Sequence, residues 1–294
     1  MRLLLTTAFT ALALCSFGQT EIKLYPVTVE TANNEQVRLE KDGRVRSIFN
    51  VTNPSITVFL PEADKATGTA VILCAGGGLM AHSWGTDVLD MAEWLNQRGI
   101  AAIGLKYRTR SFGGKRQQLA ENEQLNASIT EFDKLKKSNA NPDQSGSPDP
   151  SIDNAIDDAL RALEIIGEHA TEWHIDMTKV GFLGFSAGGG VAIGAVLRTT
   201  NQPKAAFLAT IFGPSLIDVD VPKNAPKLFI ATRGDHHNVA AGLVSLYLDW
   251  KKAGANAEMH IYDDGSGPFG PDDPGNTSGT WRESFYRWLT FNGF

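Results

Sequence analysis

The chain has 294 residues, 42% of them hydrophobic and 20% charged, with a formal net charge of −6. This composition excludes a disordered, collagen-like or coiled-coil chain. A mildly acidic chain without a Lys/Arg cluster argues against nucleic-acid or anionic-membrane binding, and two cysteines exclude a disulfide-dense scaffold or a cysteine-only zinc site.

In chain order, Arg2 precedes an apolar run, Leu3 to Cys15, too short to span a bilayer. A basic start, a short apolar stretch and small residues predict a secretory signal peptide over 1–18, cut near Ser16-Phe17-Gly18. The mature protein is then expected to be secreted or periplasmic, with lipid attachment at Cys15 as the alternative. Removing the signal leaves Cys74 as the only cysteine, so no intrachain disulfide is possible. No later apolar stretch is long enough for a membrane span.

Residues 20–60 alternate apolar and polar positions and carry many β-branched side chains, which predicts opening antiparallel strands. Thr69 to Cys74 is a continuous apolar run that meets glycines, the pattern of a buried strand ending in a tight loop. Val88, Leu89, Met91, Ala92, Trp94 and Leu95 recur at helical spacing and predict a helix over 86–98, stopped by Gly99. Ile100 to Leu105 reads as another buried strand. Residues 109–150 turn polar and predict a surface insertion with one short helix over 119–136. Beyond it the pattern gives a helix at Ile152 to Ala170, a strand at Val180 to Gly184 and a helix at Ala187 to Leu197. Strands at Ala205 to Ile211 and Lys227 to Ala231 follow, then a helix at Ala241 to Lys252, a strand at Ala257 to Tyr262 and a closing helix at Thr280 to Leu289. Strands alternating with helices predict one α/β domain over 19–294, with a parallel sheet covered on both faces.

Gly184-Phe185-Ser186-Ala187-Gly188 falls between a predicted strand and a predicted helix. G-x-S-x-G in that place is a nucleophile elbow, a strained turn that exposes the serine while the flanking glycines let the backbone pack. The helix behind it presents N–H groups to developing negative charge. Cys74-Ala75-Gly76-Gly77-Gly78 follows an earlier strand and is suited to supply a second oxyanion N–H beside that of Ala187. No Gly-Lys-Ser/Thr follows, so it does not read as a phosphate loop. Asp235 comes just after a predicted strand, in the place of a triad acid.

Together these residues resemble the α/β-hydrolase superfamily and, within it, a secreted acetylxylan-esterase and feruloyl-esterase-like branch. The matching stretches are Asn53-Pro-Ser-Ile-Thr-Val-Phe-Leu-Pro61, Cys74-Ala-Gly-Gly-Gly78, Leu105-Lys-Tyr-Arg108, Asp158-Ala-Leu-Arg-Ala162, Gly184-Phe-Ser-Ala-Gly-Gly189 and Lys252-Ala-Gly254. The resemblance implies Ser186 as nucleophile, Asp235 as triad acid and the N–H groups of Gly77, Gly78 and Ala187 as oxyanion hole. It also implies a histidine after the last strand, in a pattern close to Gly-Gly-His-Gly-Phe/Tyr-Gly. Here that stretch reads Gly265-Ser266-Gly267-Pro268-Phe269-Gly270, with Gly267 in the histidine's place.

A glycine takes no proton from Ser186, and a hydroxyl without a base is a weak nucleophile. After Asp235 the chain holds His236, His237 and His260. His236 is the expected base, with His237 the alternative; the competing reading leaves both in solvent. His260 alternates with Glu258 and Tyr262 on a predicted strand and reads as structural. His82 is a candidate for lining the pocket, and His169 and His174 read as structural. Asp263-Asp264 and Asp272-Asp273 read as a solvated acidic turn rather than a hard-cation site, and His236-His237 is too small a cluster for zinc. No metal and no organic cofactor are expected. Of the six tryptophans only Trp84, in a loop after Gly78, stands as a pocket candidate; the others read as core.

The expected function is that of a secreted serine ester hydrolase. Its partner is a small ester or acylated carbohydrate, with acetyl or feruloyl esters of plant polysaccharide favoured. The alternative, motivated by Gly267, is a hydrolase-fold protein that has lost its chemistry and keeps a binding role. Glycoside cleavage needs two carboxylates flanking a sugar, and no such pair is marked. The oligomeric state is left open.

Overall fold

The computed structural model describes residues 20–26, 34–110, 150–199, 203–236, 239–270, 273 and 275–294. The expected signal peptide, His237 and nearly all of the polar insertion lie outside them. Two residues at the start of that insertion are described, and they are anchored. The Thr109 N–H donates to Val51 O at 3.0 Å, and the Arg110 N–H to Leu79 O at 2.8 Å.

The opening strands are β1 (Thr20–Lys23), β2 (Gln36–Leu39), β3 (Val45–Phe49) and β4 (Ser55–Phe59). Then come β5 (Ala70–Cys74), the two-residue β6 (Ala81–His82), α1 (Met91–Asn96) and β7 (Ala101–Lys106). The second half runs α2 (Pro150–His169), β8 (Val180–Phe185), α3 (Ala187–Arg198), β9 (Phe207–Ile211) and β10 (Lys227–Arg233). It closes with α4 (Ala240–Lys252), β11 (Ala257–Tyr262) and α5 (Trp281–Phe291).

Among the described residues, eight strands form the main sheet in the order β1-β4-β7-β5-β8-β9-β10-β11. Pairing is antiparallel from β1 to β4 and from β4 to β7, and parallel from there on. A separate antiparallel sheet joins β2, β3 and β6. The opening antiparallel strands are therefore divided between two sheets, which local alternation alone does not specify.

Both faces of the main sheet are buried, so its parallel strands read as unbroken apolar runs. One face packs against α2, α3 and α4 through Ile156, Leu163, Val191, Leu243 and Trp250. The other packs against α1, the turn Gly85–Asp90 before it and α5 through Val88, Trp94, Trp281, Phe285 and Leu289. Burying a side chain such as Phe285 stabilises the fold by about 2 kcal/mol.

The helix predicted over 86–98 is built differently. Gly85–Asp90 forms a wide π-helical turn before α1 begins. This wide turn holds Val88 against Gly104 while Asp87 faces Gly76. Gly99 stops the segment at φ +73°, as expected. Among the described residues no helix is long and apolar enough to cross a membrane.

Candidate active site

The carboxyl ends of the parallel strands bring the sequence's candidates to one edge of the sheet, where ligand crevices form in folds of this kind. β5 and β8 are direct neighbours there, with Cys74 opposite Gly184. The glycine loop after β5 and Ser186 after β8 therefore meet.

Ser186 sits between the last residue of β8 and the first of α3, at φ 50° and ψ −125°. Holding a non-glycine residue there costs about 1–3 kcal/mol, which the surrounding contacts must offset. The Ser186 N–H donates to Ile211 O at 3.1 Å, and the Gly189 N–H donates to Ser186 O at 2.9 Å. The start of α3 also presses on the end of β5. A methyl on Gly188 would clash with the carbonyl oxygens of Cys74 and Ala75. Only glycine permits that approach.

The loop Ala75–Gly78 is fixed at several points. Tyr107 Oη donates to Ala75 O at 2.7 Å. The Ser83 N–H donates to Gly76 O at 2.9 Å, and the Met80 and Ala81 N–H groups donate to Gly77 O at 3.0 and 3.1 Å. Among the described residues no hydrogen bond uses the N–H of Gly77 or Gly78. Ala187, the first residue of α3, faces the same edge and is nearly buried.

Asp235 lies two residues beyond β10 and is exposed. Its carboxylate has no hydrogen-bond partner among the described residues. His236 is half-buried, with its ring 5.8 Å from that of Phe212. Phe212 joins the elbow to this loop. Its ring also lies 6.2 Å from Phe185 and 5.2 Å from Phe269. The neighbouring Gly213 abuts the Ser186 carbonyl, where a methyl would come within 2.6 Å of the oxygen. His236 thus packs toward Phe212, whose ring neighbours both Phe185 and Phe269, while Asp235 is exposed.

Gly267 adopts φ +80°, and a methyl built on it meets no atom within 4 Å. Its loop is tied down by Arg233, the buried last residue of β10. The guanidinium binds Asp264 Oδ1 at 3.1 Å and Asp273, and donates to Pro268 O at 3.2 Å. Burial pushes the Asp264 carboxyl up, but bonds from the Ser278 N–H, the Thr277 hydroxyl and the Ser278 hydroxyl outweigh it and hold it below its ordinary value. Asp264 and Asp273 are therefore part-buried ion-pair partners of Arg233, while Asp263 is exposed as expected and Asp272 lies outside the described residues. Among the described residues no group of three His, Cys, Asp or Glu side chains is placed to hold a metal.

Two pocket candidates move into the core. His82 is fully buried, with Nε2 2.9 Å from Tyr107 O and its ring edge-on to Tyr107. Burial pushes it down to about 4, so it is neutral at pH 7. Trp84 packs on Gly104 under the sheet. Their neighbours in sequence are loop-like, but β6 pairs His82 with β3 and Trp84 opens the π-helical turn, and both side chains are buried. His260 pairs with Glu258 at 2.8 Å, and His169 stacks on Trp173 and bonds Glu172. Cys74 is buried and unbridged.

One group escaped the sequence reading. Asp87 accepts the Gly76 N–H at 2.8 Å and the Thr86 hydroxyl at 2.8 Å, at 8% exposure. Its signal was present: a carboxylate on the apolar stripe of a predicted helix, between Trp84 and Met91. A methyl on Gly76 would sit 3.1 Å from Ser186 Cβ and 3.3 Å from Asp87 Oδ2. Burial pushes the Asp87 carboxyl up to about 6, with bonds from Gly76 and Thr86 opposing the rise and Asp90 adding to it.

The strand order, the elbow and the glycine loop define an α/β-hydrolase fold. A family model described as alpha/beta hydrolase fold matches residues 140–260. Among curated proteins none matches this chain in sequence. The solved structures similar to it include an acetyl ester-xyloside bifunctional hydrolase from Caldicellulosiruptor lactoaceticus. That protein is 19% identical with a TM-score of 0.61, and the match covers 94% of this chain and 97% of that one. A thermophilic esterase from the Planctomycetes species Thermogutta terrifontis is 17% identical with a TM-score of 0.58, covering 89% and 94%. A carboxylesterase from Lactobacillus plantarum is 16% identical with a TM-score of 0.58, covering 88% and 98%. At these identities the likeness establishes the fold.

Proposed function

We propose that the protein is a serine ester hydrolase acting on small acyl esters, with Ser186 as nucleophile. The observation that carries this reading is the Ser186 turn, at φ 50° and ψ −125°, set against a loop whose Gly77 and Gly78 N–H groups make no hydrogen bond among the described residues. Ser186 Oγ attacks the ester carbonyl, and the N–H groups of Gly77, Gly78 and Ala187 receive the developing oxyanion. His236 takes the hydroxyl proton and returns it to the departing alcohol, and Asp235 serves as its acid partner; His237 is the alternative base. Water then attacks the acyl-enzyme and releases the carboxylic acid. The substrate class is acetyl or feruloyl esters of plant polysaccharide. The similar Caldicellulosiruptor protein, an acetyl ester-xyloside bifunctional hydrolase, supports the acetyl choice. Residues 1–18 serve as an export signal.

Gly267 and the exposed Asp235 favour a second reading, a site that binds esters without turning them over. Hydrolysis of p-nitrophenyl acetate, run beside Ser186→Ala, decides between them. The first reading expects Ser186-dependent turnover. A wild type no faster than Ser186→Ala supports the second, most clearly if Gly267→His then restores activity.

A further inference from the structure

We propose that Asp87 is the positioning residue of this site: its carboxylate holds Gly76, and through it the Gly77–Gly78 loop, and protonating it slackens that loop. The catalytic part of this inference rests on the esterase reading above.

Ala75 O, Gly76 O and Gly77 O each accept from a neutral donor. The Gly76 N–H instead donates to Asp87 Oδ2, an acceptor able to change charge. A charge-assisted bond is about twice as strong as a neutral one. Gly76 is also the contact point with the nucleophile, since the space of one methyl on it touches both Ser186 Cβ and Asp87 Oδ2. Any drift of Gly76 is thus felt at the serine and at the two N–H groups that follow.

The groups facing Asp87 leave its charge poorly compensated. Asp90 is on the same π-helical turn and is itself paired with Arg44 at 2.5 Å. Tyr107, at the end of β7, and Cys74, at the end of β5, are both buried and pushed far up by that burial, so both are neutral. His82, from β6, is neutral too. Among the described residues no cation pairs with Asp87. Its ionisation is therefore set by burial against the Gly76 and Thr86 hydrogen bonds, and the change falls in mildly acidic solution.

The test is a pH titration of the full chain labelled with 15N-glycine, followed by NMR, alongside the pH profile of p-nitrophenyl acetate hydrolysis. In wild type the Gly76 and Gly77 amide signals should shift together with a midpoint near pH 6. In Asp87→Asn that titration should vanish. Turnover should fall about tenfold below the same midpoint, in kcat and not in KM, because slack oxyanion donors weaken transition-state binding. Asp87→Asn should lose that part of the profile while any limb belonging to His236 remains. Gly76 and Gly77 signals that stay still across this range, or that titrate equally in Asp87→Asn, overturn the proposal. The wild-type titration needs no variant to fold. If wild type hydrolyses no ester, the esterase reading fails by itself, and the amide titration still decides whether Asp87 governs the loop.

Discussion

Arg233 and Asp264 join the ends of two neighbouring strands, the guanidinium Nε lying 3.1 Å from the carboxylate. Asp264 is the second residue beyond β11, so this pair fixes where the following loop begins. That loop carries Gly267. Arg233 also grips Asp273 and the Pro268 carbonyl, so a single side chain shapes the stretch in which the α/β-hydrolase resemblance would place a histidine.

Replacing Arg233 by Met removes the cation from two part-buried carboxylates, which among the described residues keep only their bonds from Asn276, Thr277 and Ser278. Breaking such a pair costs about 3–5 kcal/mol. Guanidinium-chloride unfolding of Arg233→Met should show a loss of that order. Arg233→Lys should recover only part of it, because an ammonium cannot reach Asp264, Asp273 and Pro268 O together. A loss below about 1 kcal/mol would mean that other contacts hold the loop.

Gly267→His should fold. The position is open, so its cost is the left-handed backbone at φ +80°, about 1–2 kcal/mol for a side-chain-bearing residue. Histidine is among the residues found there more often than most. Thermal melting checks the cost, and an ester assay on the same sample asks whether the new imidazole reaches Ser186. A melting temperature unchanged from wild type would contradict the backbone argument.

Gly188→Ala should be far worse than an average glycine-to-alanine change within a helix. The new methyl meets the carbonyl oxygens of Cys74 and Ala75, both backbone atoms at the end of a central strand. Overpacking of this kind costs about 1–3 kcal/mol. It should also displace the glycine loop, so ester turnover or ligand binding should drop with stability. Circular dichroism melts paired with either assay measure both effects.

Asp87 should also leave a mark on the pH dependence of stability. Its carboxyl is raised from 3.8 to about 6 in the folded protein, so folding takes up a proton between those values. Wild-type stability then falls as pH rises through that window. Asn carries no such proton. The stability of Asp87→Asn relative to wild type should therefore rise by about 2 kcal/mol from pH 4 to pH 6, with a few tenths more by pH 8. Urea unfolding at pH 4, 5, 6 and 8 reads the difference directly, and a flat difference would show that burial does not shift Asp87.

The order of strands and helices was legible along the chain because local pattern carries it. The runs Ala70–Cys74 and Val180–Phe185 are apolar throughout, since both faces of a central parallel strand are covered. Ser186 was legible for a similar reason. A turn this tight needs glycine on either side, and the requirement is written within five consecutive residues. The predicted helix over 86–98 shows where such reading stops. Its apolar spacing suits an ordinary helix, yet a π-helical turn opens there, because Val88 and Asp87 must satisfy partners on β7 and on the glycine loop at once.

By itself, then, the sequence determined the elements, the parallel sheet and the serine turn, all of which depend on residues close together along the chain. Only the tertiary structure decided what Asp87 and Arg233 do. Asp87 meets Gly76 from eleven residues away, and Arg233 meets Asp264 and Asp273 from 31 and 40 residues away. A charge read in sequence is by default a solvated one. It becomes a loop anchor only when the packing of the sheet edge removes water and leaves a backbone N–H or a carboxylate as its partner.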